Sequence, residues 1–120
     1  MSKLYIGVDI GGTSIVAARF SESELIERAE VPTGSERPAL EIMESLYEAI
    51  EKVLTEEVIG IGIGMPGFMN ADTGEILVIN NIKSFNGFSI KPLVEKRFNL
   101  PAFQGNDANC FALGETYYGA

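Results

Sequence analysis

At 120 residues the chain is long enough for one domain with a substantial core, and its formal net charge of −8, from 17 acidic and 9 basic residues, argues against a nucleic-acid-binding surface. One cysteine and no histidine exclude an internal disulfide and argue against a zinc site built from this chain. No apolar run approaches the roughly 20 residues of a membrane-spanning helix and no signal-peptide core opens the chain, so we expect a cytoplasmic protein.

The first third of the chain predicts three short strands. They are Leu4–Asp9, Ser14–Phe20 and Leu25–Val31, the last ended by Pro32. Because parallel pairing needs a long crossover and these strands are joined by tight turns, we expect them to lie antiparallel.

A long amphipathic helix is expected next. Apolar residues recur at helical spacing from Ala39 to Leu54, with glutamates on the opposite face. Ser35 is the predicted N-cap, and Pro38 falls in the first turn, where proline is tolerated.

Strands and helices alternate in the rest of the chain. The expected elements are a strand at Val58–Gly64, an extended piece at Ile76–Ile79, a polar loop from Asn80 to Gly87, a helix capped by Ser89, a strand opened by Pro101 and a helix that begins at Asp107. The order β-β-β-α-β-α-β-α predicts an α/β fold with a mixed sheet of about five strands.

The tip of the first hairpin is a candidate phosphate site. Asp9 precedes Ile10, and Gly11, Gly12 and Thr13 follow. Two glycines allow backbone N–H groups to turn toward an anion, and Thr13 adds a hydroxyl donor. Asp9 could hold Mg²⁺ directly or through water. The alternative is a plain hairpin whose aspartate makes an Asx turn.

Other polar and glycine-rich positions are weaker signals when taken singly. The run from Gly62 to Gly67 would let a ligand approach the main chain, although a structural turn explains it as well. Four asparagine amides can both donate and accept hydrogen bonds, which suits a polyhydroxylated ligand such as a sugar, although asparagines in loops usually mark turns; they are Asn80, Asn81, Asn86 and Asn106. Cys110 is interpreted as a small core residue.

Asn106 and Asp107 lie where a strand passes into a helix. Either residue could cap that helix. Open α/β sheets also place ligands at this position, and an aspartate within hydrogen-bond reach of a hydroxyl can act as a general base. Phosphoryl transfer needs such a base opposite a phosphate cradle, and the first hairpin offers the cradle.

Four blocks of this sequence, taken together, resemble the amino-terminal domain of the ROK family of sugar kinases and sugar-responsive repressors. They are Asp9-Ile-Gly-Gly-Thr13, Gly62-Ile-Gly-Met-Pro-Gly67, Asn81 and Asn106-Asp-Ala-Asn-Cys-Phe-Ala-Leu-Gly-Glu115. The resemblance covers essentially the whole chain and implies the ribonuclease-H-like, actin-like ATPase fold. The last block is especially similar to N-acetylglucosamine kinases and fructokinases, with glucokinases close behind.

The resemblance implies a role for each matching residue. Asp107 would be the base that acts on a sugar hydroxyl. The other sugar contacts would be Gly67, Asn81 and Asn106, and the residues facing ATP and Mg²⁺ would be Asp9, Gly11, Gly12 and Thr13. The substrate implied is a hexose or N-acetylhexosamine.

Two departures from the family pattern bear on these roles. Many members have lysine after the hairpin motif, whereas Ser14 stands here, which leaves the phosphate contact of that lysine without a counterpart. Members also carry a second domain with most of the nucleotide site and often a zinc site. Residues 1–120 are therefore expected to be a single amino-terminal domain, with the second domain and any zinc outside this chain.

Three functions remain open at this point. The first is an ATP-dependent sugar kinase, of which this chain is the sugar-binding half. The second is the sugar-sensing part of a ROK repressor, which would need a helix-turn-helix segment ahead of the first hairpin. The third is a sugar-binding fragment without catalysis. The sequence also leaves open the choice of sugar and whether the protein forms a homo-oligomer.

Overall fold

A five-stranded mixed sheet organises the chain. The computed structural model describes residues 4–21, 24–65, 68–69, 76–78 and 82–106. Its strands are β1 (Leu4–Ile10), β2 (Ser14–Ser21), β3 (Glu24–Pro32), β4 (Val58–Met65), β5 (Phe68–Met69), β6 (Ile76–Val78) and β7 (Ala102–Asn106). Its helices are α1 (Ala39–Val53) and α2 (Lys91–Phe98), with a 3₁₀ turn at Lys83–Phe85. The main sheet has the order β3-β2-β1-β4-β7, and β5 pairs with β6 in a separate two-stranded sheet.

Strand directions in the main sheet follow from the lengths of the connections. β1 pairs antiparallel with β2, and β2 antiparallel with β3, which confirms the predicted arrangement. On its other side β1 is parallel to β4, and β4 is parallel to β7. The chain reaches β4 only after α1 and β7 only after α2, so each parallel strand is preceded by the long crossover it needs.

The core lies between one face of the sheet and α1. Side chains alternate along a strand, so Ile6, Val8 and Ile10 of β1 share one face, and all three are fully buried. They belong to one cluster with the apolar stripe of α1, which comprises Ile42, Met43, Leu46, Tyr47, Ala49, Ile50 and Val53. Burying each large aliphatic side chain contributes about 1.5–3 kcal/mol, and this cluster is the main source of stability in the described residues.

Hydrogen bonds from side chains fix the helices against the ends of the strands. Arg19 of β2 donates from Nη1 to the carbonyl oxygen of Val53 at 2.6 Å, which satisfies one of the unpaired carbonyls at the end of α1. Glu95 of α2 accepts the backbone N–H of Ala102 at 3.0 Å. The N–H of Ile61 donates to the carbonyl of Pro101, also at 3.0 Å. The bond of Glu95 fixes the beginning of β7 to α2, and the backbone bond of Ile61 holds it beside β4.

A bulge at the beginning of β4 changes which side chains reach the core. Leu4 is paired with Val58 and Ile6 with Ile61, so β4 has one more residue than β1 over this stretch. The extra residue keeps Val58 and Ile61 on the same face, and both join the core, whereas Ile59 is exposed. The alternation of isoleucine and glycine in the sequence does not reveal this change.

Both predicted serine caps are wrong. α1 begins at Ala39 with Pro38 as its N-cap and no side-chain cap, because the residue before a proline is disfavoured in helical conformation and a helix starting near Ser35 would have to pass through it. Ser89 instead forms an isolated β-bridge, and Ile90 precedes α2 without a side-chain cap bond.

The predicted polar loop between residues 80 and 87 contains an apolar anchor. The 3₁₀ turn within it buries Phe85 completely, and the preceding Ile82 is equally buried in the main cluster. The predicted helix from Asp107 onward lies outside the described residues. Within the described ranges, no helix combines the length and apolar character that crossing a bilayer requires.

Two leucines of α1 provide a direct test of this core. Leu46 is fully buried, whereas Leu40 on the same helix is 67% exposed. We expect Leu46→Ala to lower the free energy of unfolding by about 2–5 kcal/mol, because it leaves a cavity between α1 and the sheet. Leu40→Ala should change it by no more than about 0.5 kcal/mol. Urea denaturation followed by circular dichroism measures both, and equal losses would contradict this packing.

Candidate functional site

The carboxyl ends of the three parallel strands meet at one edge of the sheet. Asp9 of β1 is in register with Gly64 of β4, and Gly64 is in register with Gly105 of β7. One residue further along, Met65 is paired with Asn106. Two strand spacings separate Asp9 from Gly105, about 10 Å. Open α/β sheets bind ligands outside this edge, so the register brings two separate blocks of the sequence to one candidate site.

Asp9 lies on the face of the sheet opposite α1. Its neighbours Val8 and Ile10 point into the core, so alternation directs Asp9 to the other face, where it is half-buried. Gly64, beside it, adds no side chain to that face. A ligand could therefore approach the main chain of β4 closely next to the Asp9 carboxylate.

The turn that follows Asp9 is tight at its first glycine. The N–H of Gly11 donates to the carbonyl of Ser14 at 2.9 Å, and a Cβ at position 11 would lie 3.2 Å from that same oxygen. Gly12 and the exposed Thr13 form the tip. They border a depression of about 460 Å³ whose lining residues are Gly12, Thr13, Gly34, Ser35, Glu36 and Arg37.

The groups at this hairpin fit a nucleotide phosphate with a bound Mg²⁺. A glycine-rich turn offers backbone N–H groups, Thr13 offers a hydroxyl, and Arg37 brings a positive charge to the rim. Across the described ranges, no three acidic, cysteine or histidine side chains converge as a ready-made cation cage. Mg²⁺ is commonly held by one or two carboxylates together with phosphate oxygens and water, and Asp9 can provide such a carboxylate.

Two residues that the sequence reading missed hold this hairpin in place. Thr33 donates its hydroxyl to the carbonyl of Gly11 at 2.7 Å, and its N–H to the carbonyl of Thr13 at 3.0 Å. Arg37 donates from Nη2 to the carbonyl of Thr33 at 2.7 Å and to the hydroxyl of Ser45 at 2.6 Å. A threonine after a strand and an arginine before a helix carry no local signal for contacts of this kind.

Ser14, which stands where many family members have lysine, is bonded to an acidic neighbour. Its side chain hydrogen-bonds the carboxylate of Glu30 on β3, and Arg28 forms an ion pair with the same carboxylate at 3.2 Å. The bond from Ser14, and secondly the Arg28 guanidinium, lower the pKa of Glu30 below its usual value. Position 14 therefore contributes a neutral donor to this side of the hairpin.

The structure describes only part of the predicted site. Asp9, Gly11, Gly12 and Thr13 lie together at the first hairpin, and Asn106 ends β7 at the same edge of the sheet. The other predicted site residues, Gly67, Asn81 and Asp107, lie outside the described residues, as does Cys110. Asn86 donates its amide to the carbonyl of Lys83 at 3.2 Å, which is the role of a turn residue.

Comparison with known proteins decides the family. The model of the ROK family matches residues 5–120. The chain belongs to the ROK family. The solved structure of a ROK glucokinase from Streptomyces griseus, in complex with glucose and AMPPNP, is similar with a TM-score of 0.81 and 34% identity, over 98% of this chain and 37% of that one. This likeness, with the mixed sheet, confirms the predicted ribonuclease-H-like, actin-like ATPase fold.

Curated ROK relatives include both enzymes and repressors. The glucokinase of Halalkalibacterium halodurans is 37% identical over 123 residues, which cover 97% of this chain and 37% of that protein. The N-acetyl-D-glucosamine kinase of Mannheimia succiniciproducens is 36% identical over 114 residues, 92% of this chain and 37% of that protein. The xylose repressor of Caldicellulosiruptor bescii is 31% identical over 123 residues, 95% of this chain and 30% of that protein. The chain thus spans about a third of their length.

The bond between Ser14 and Glu30 can be tested by titration. We expect Ser14→Ala to raise the pKa of Glu30 toward its usual value, because the largest cause of the lowering is removed. Carbon-detected NMR of the Glu30 carboxyl group measures the shift, and Ser21→Ala, at the far end of β2, is the matched control.

The direction of the pH dependence follows from the same shift. A carboxyl group whose pKa is lowered by folding stabilises the fold above its unfolded-state pKa, and this contribution disappears as the pH falls through the folded-state value. A Glu30 pKa that is identical in wild type and Ser14→Ala would show that Ser14 does not hold this carboxylate.

Proposed function

We propose that the chain is the sugar-binding half of an ATP-dependent kinase that phosphorylates a hexose or an N-acetylhexosamine. The observation that carries the proposal is the register of Asp9, Gly64 and Gly105 across three parallel strands. It brings the phosphate-type hairpin and Asn106, the residue before Asp107 in the sequence, to one edge of one sheet. The similarity to the glucokinase and N-acetyl-D-glucosamine kinase described above supports the same substrate class.

In the proposed reaction the first hairpin serves the nucleotide. The backbone N–H of Gly12 and the hydroxyl of Thr13 would bind phosphate oxygens of ATP, and Asp9 would hold Mg²⁺. Gly11, whose N–H is bonded to Ser14, would let the phosphates approach the turn closely. Mg²⁺ held there would supply positive charge beside the phosphoryl group that is transferred. Fixed donors are effective here because they require no reorganisation during the reaction.

The end of β7 serves the sugar. Asp107 would accept the proton of the attacking sugar hydroxyl. The oxygen of that hydroxyl would form a bond to the γ-phosphorus as the bond from the γ-phosphorus to ADP breaks. Asn106 would hold neighbouring hydroxyls, and Gly67 and Asn81 would line the sugar pocket. The support for this assignment is that Asn106, which precedes Asp107 in the sequence, ends β7 beside Met65 at the same edge of the sheet as Asp9.

A second domain completes the proposed active site. The H. halodurans glucokinase extends far beyond the segment matched here, and we assign most of the adenine site to the part without a counterpart in this chain. Residues 1–120 are then one amino-terminal domain. Association of kinase subunits into a homo-oligomer would involve surfaces beyond it.

A sugar-sensing domain of a repressor is the second candidate, because the C. bescii xylose repressor matches nearly the whole chain. The net charge of −8 makes DNA contact by this segment itself unfavourable, but it does not separate a sensor domain from a kinase domain. An intact aspartate at position 107 favours the kinase. A third reading, a sugar-binding fragment, differs from both only in lacking catalysis.

The general base can be tested in a chimera in which this chain replaces the matched segment of the H. halodurans glucokinase. We expect Asp107→Asn to lower kcat at least about 100-fold while glucose binding is retained, because the amide preserves shape but cannot accept the proton. The control is Glu57→Gln, which removes an exposed carboxylate just before β4, at the opposite end of that strand from the candidate site. Coupled ADP release and calorimetry measure the two quantities. An Asp107→Asn chimera with normal kcat would refute the assignment.

The division into two domains makes a separate prediction. The 120-residue chain alone should release negligible ADP in the presence of glucose or N-acetylmannosamine, because the adenine side of the cleft is not part of it. A coupled assay at high enzyme concentration tests this, with the active chimera as its positive control. Robust sugar-dependent turnover by the isolated chain would overturn the proposed division.

A further inference from the structure

Thr33 is a polar residue whose side chain is completely buried. Its exposed fraction is 0%. Burying a hydroxyl is unfavourable unless it is hydrogen-bonded, and the bond from Thr33 to the carbonyl of Gly11 at 2.7 Å satisfies this one. This hydrogen bond explains how a polar side chain can be buried at position 33.

The two bonds of Thr33 connect to both sides of the hairpin tip. Its hydroxyl donates to the carbonyl of Gly11, just before the tip, and its N–H donates to the carbonyl of Thr13, the last residue of the tip. The turn between those carbonyls contains Gly12, one of the proposed phosphate-binding residues. Thr33, which follows the end of β3, thus fixes the distance between the two sides of the hairpin turn.

Thr33 is in turn fixed to the helical layer. Arg37 binds the carbonyl of Thr33 and the hydroxyl of Ser45 in α1, and no carboxylate within the described ranges forms an ion pair with it. Gly34 makes room for this arrangement: it has a φ of +62°, and a Cβ there would lie 2.4 Å from Nε of Arg37. The segment from Thr33 to Arg37 therefore joins the hairpin to the most deeply buried helix.

We infer that Thr33 is a positioning residue for phosphate binding: its hydroxyl holds the Gly11–Thr13 turn in the conformation that presents the N–H of Gly12 and the hydroxyl of Thr13 to the nucleotide. The inference rests on the proposed function for the identity of the ligand, but the conformational role can be measured without any ligand. Thr33 acts through the turn and does not itself touch the nucleotide.

Three variants of the chain separate this role from general stability. Thr33→Val keeps the shape and both backbone bonds and removes only the hydroxyl, whereas Thr33→Ser keeps the hydroxyl. Ile50→Val shortens a buried side chain of α1 distant from the hairpin and serves as the matched destabilised control. The readout is amide hydrogen exchange at Gly11, whose N–H is bonded to Ser14, divided by exchange at Val8 in the core of β1.

In Thr33→Val we expect the Gly11-to-Val8 exchange ratio to rise about three- to tenfold, the effect of losing one hydrogen bond. Thr33→Ser should restore the wild-type ratio, and Ile50→Val should lower the melting temperature without raising the ratio. A ratio in Thr33→Val that remains at the wild-type value, or a Thr33→Ser variant that behaves like Thr33→Val, would overturn the inference.

A kinetic measurement in the H. halodurans chimera links the turn to the nucleotide. Thr33→Val should raise the KM for ATP about three- to tenfold and leave the KM for glucose unchanged, with recovery in Thr33→Ser. Equal increases in both KM values would also overturn the inference. If the unmodified chimera neither binds nor turns over ATP, the proposed function of the hairpin fails, whereas the exchange ratio still decides the role of Thr33.

Discussion

The pairing of β1 with its two neighbours is the constraint on which the candidate site depends. Ile6, Val8 and Ile10 are all buried against α1, so the alternation of the strand leaves Asp9 on the other face. A slip of one residue would remove the three aliphatic side chains from the core against α1, where burial contributes up to about 1.5–3 kcal/mol each, and would turn a carboxylate toward that core. The burial of the core therefore determines the face on which the carboxylate lies, with no contribution from a ligand.

The isoleucine and glycine alternation of β4 extends the same argument to the next strand. Ile61 and Ile63 are fully buried and together contribute about 3–6 kcal/mol, whereas each glycine in a strand costs about 0.5–1 kcal/mol relative to alanine. The balance favours the strand even with several glycines. The consequence of a glycine here is local: Gly64 has no side chain, so β4 presents only main chain beside Asp9.

Sequence patterns predicted the elements better than the contacts between them. The antiparallel order of β1, β2 and β3 and the presence of α1 followed from turn lengths and helical periodicity, both of which are local. The caps at Ser35 and Ser89 were wrong, because a nearby proline and a β-bridge determined where the helices begin. The bulge in β4, the register between Asp9 and Gly105 and the pairing of β5 with β6 depend on distant residues, so no local pattern encodes them.

The same distinction explains why Thr33 was not found from the sequence. Its hydroxyl bonds to a residue 22 positions earlier in the chain, and nothing in Pro32-Thr33-Gly34 indicates that partner. The connection continues beyond it, since Arg37 binds Thr33 and the hydroxyl of Ser84, in the 3₁₀ turn, donates to the carbonyl of Arg37 at 2.9 Å. The segment from Thr33 to Arg37 therefore contacts the hairpin proposed to bind phosphate and also the loop that follows Asn81. Sites carried by loops keep their geometry only when neighbouring residues support them, and here a single short segment connects the hairpin proposed to bind phosphate with the 3₁₀ turn.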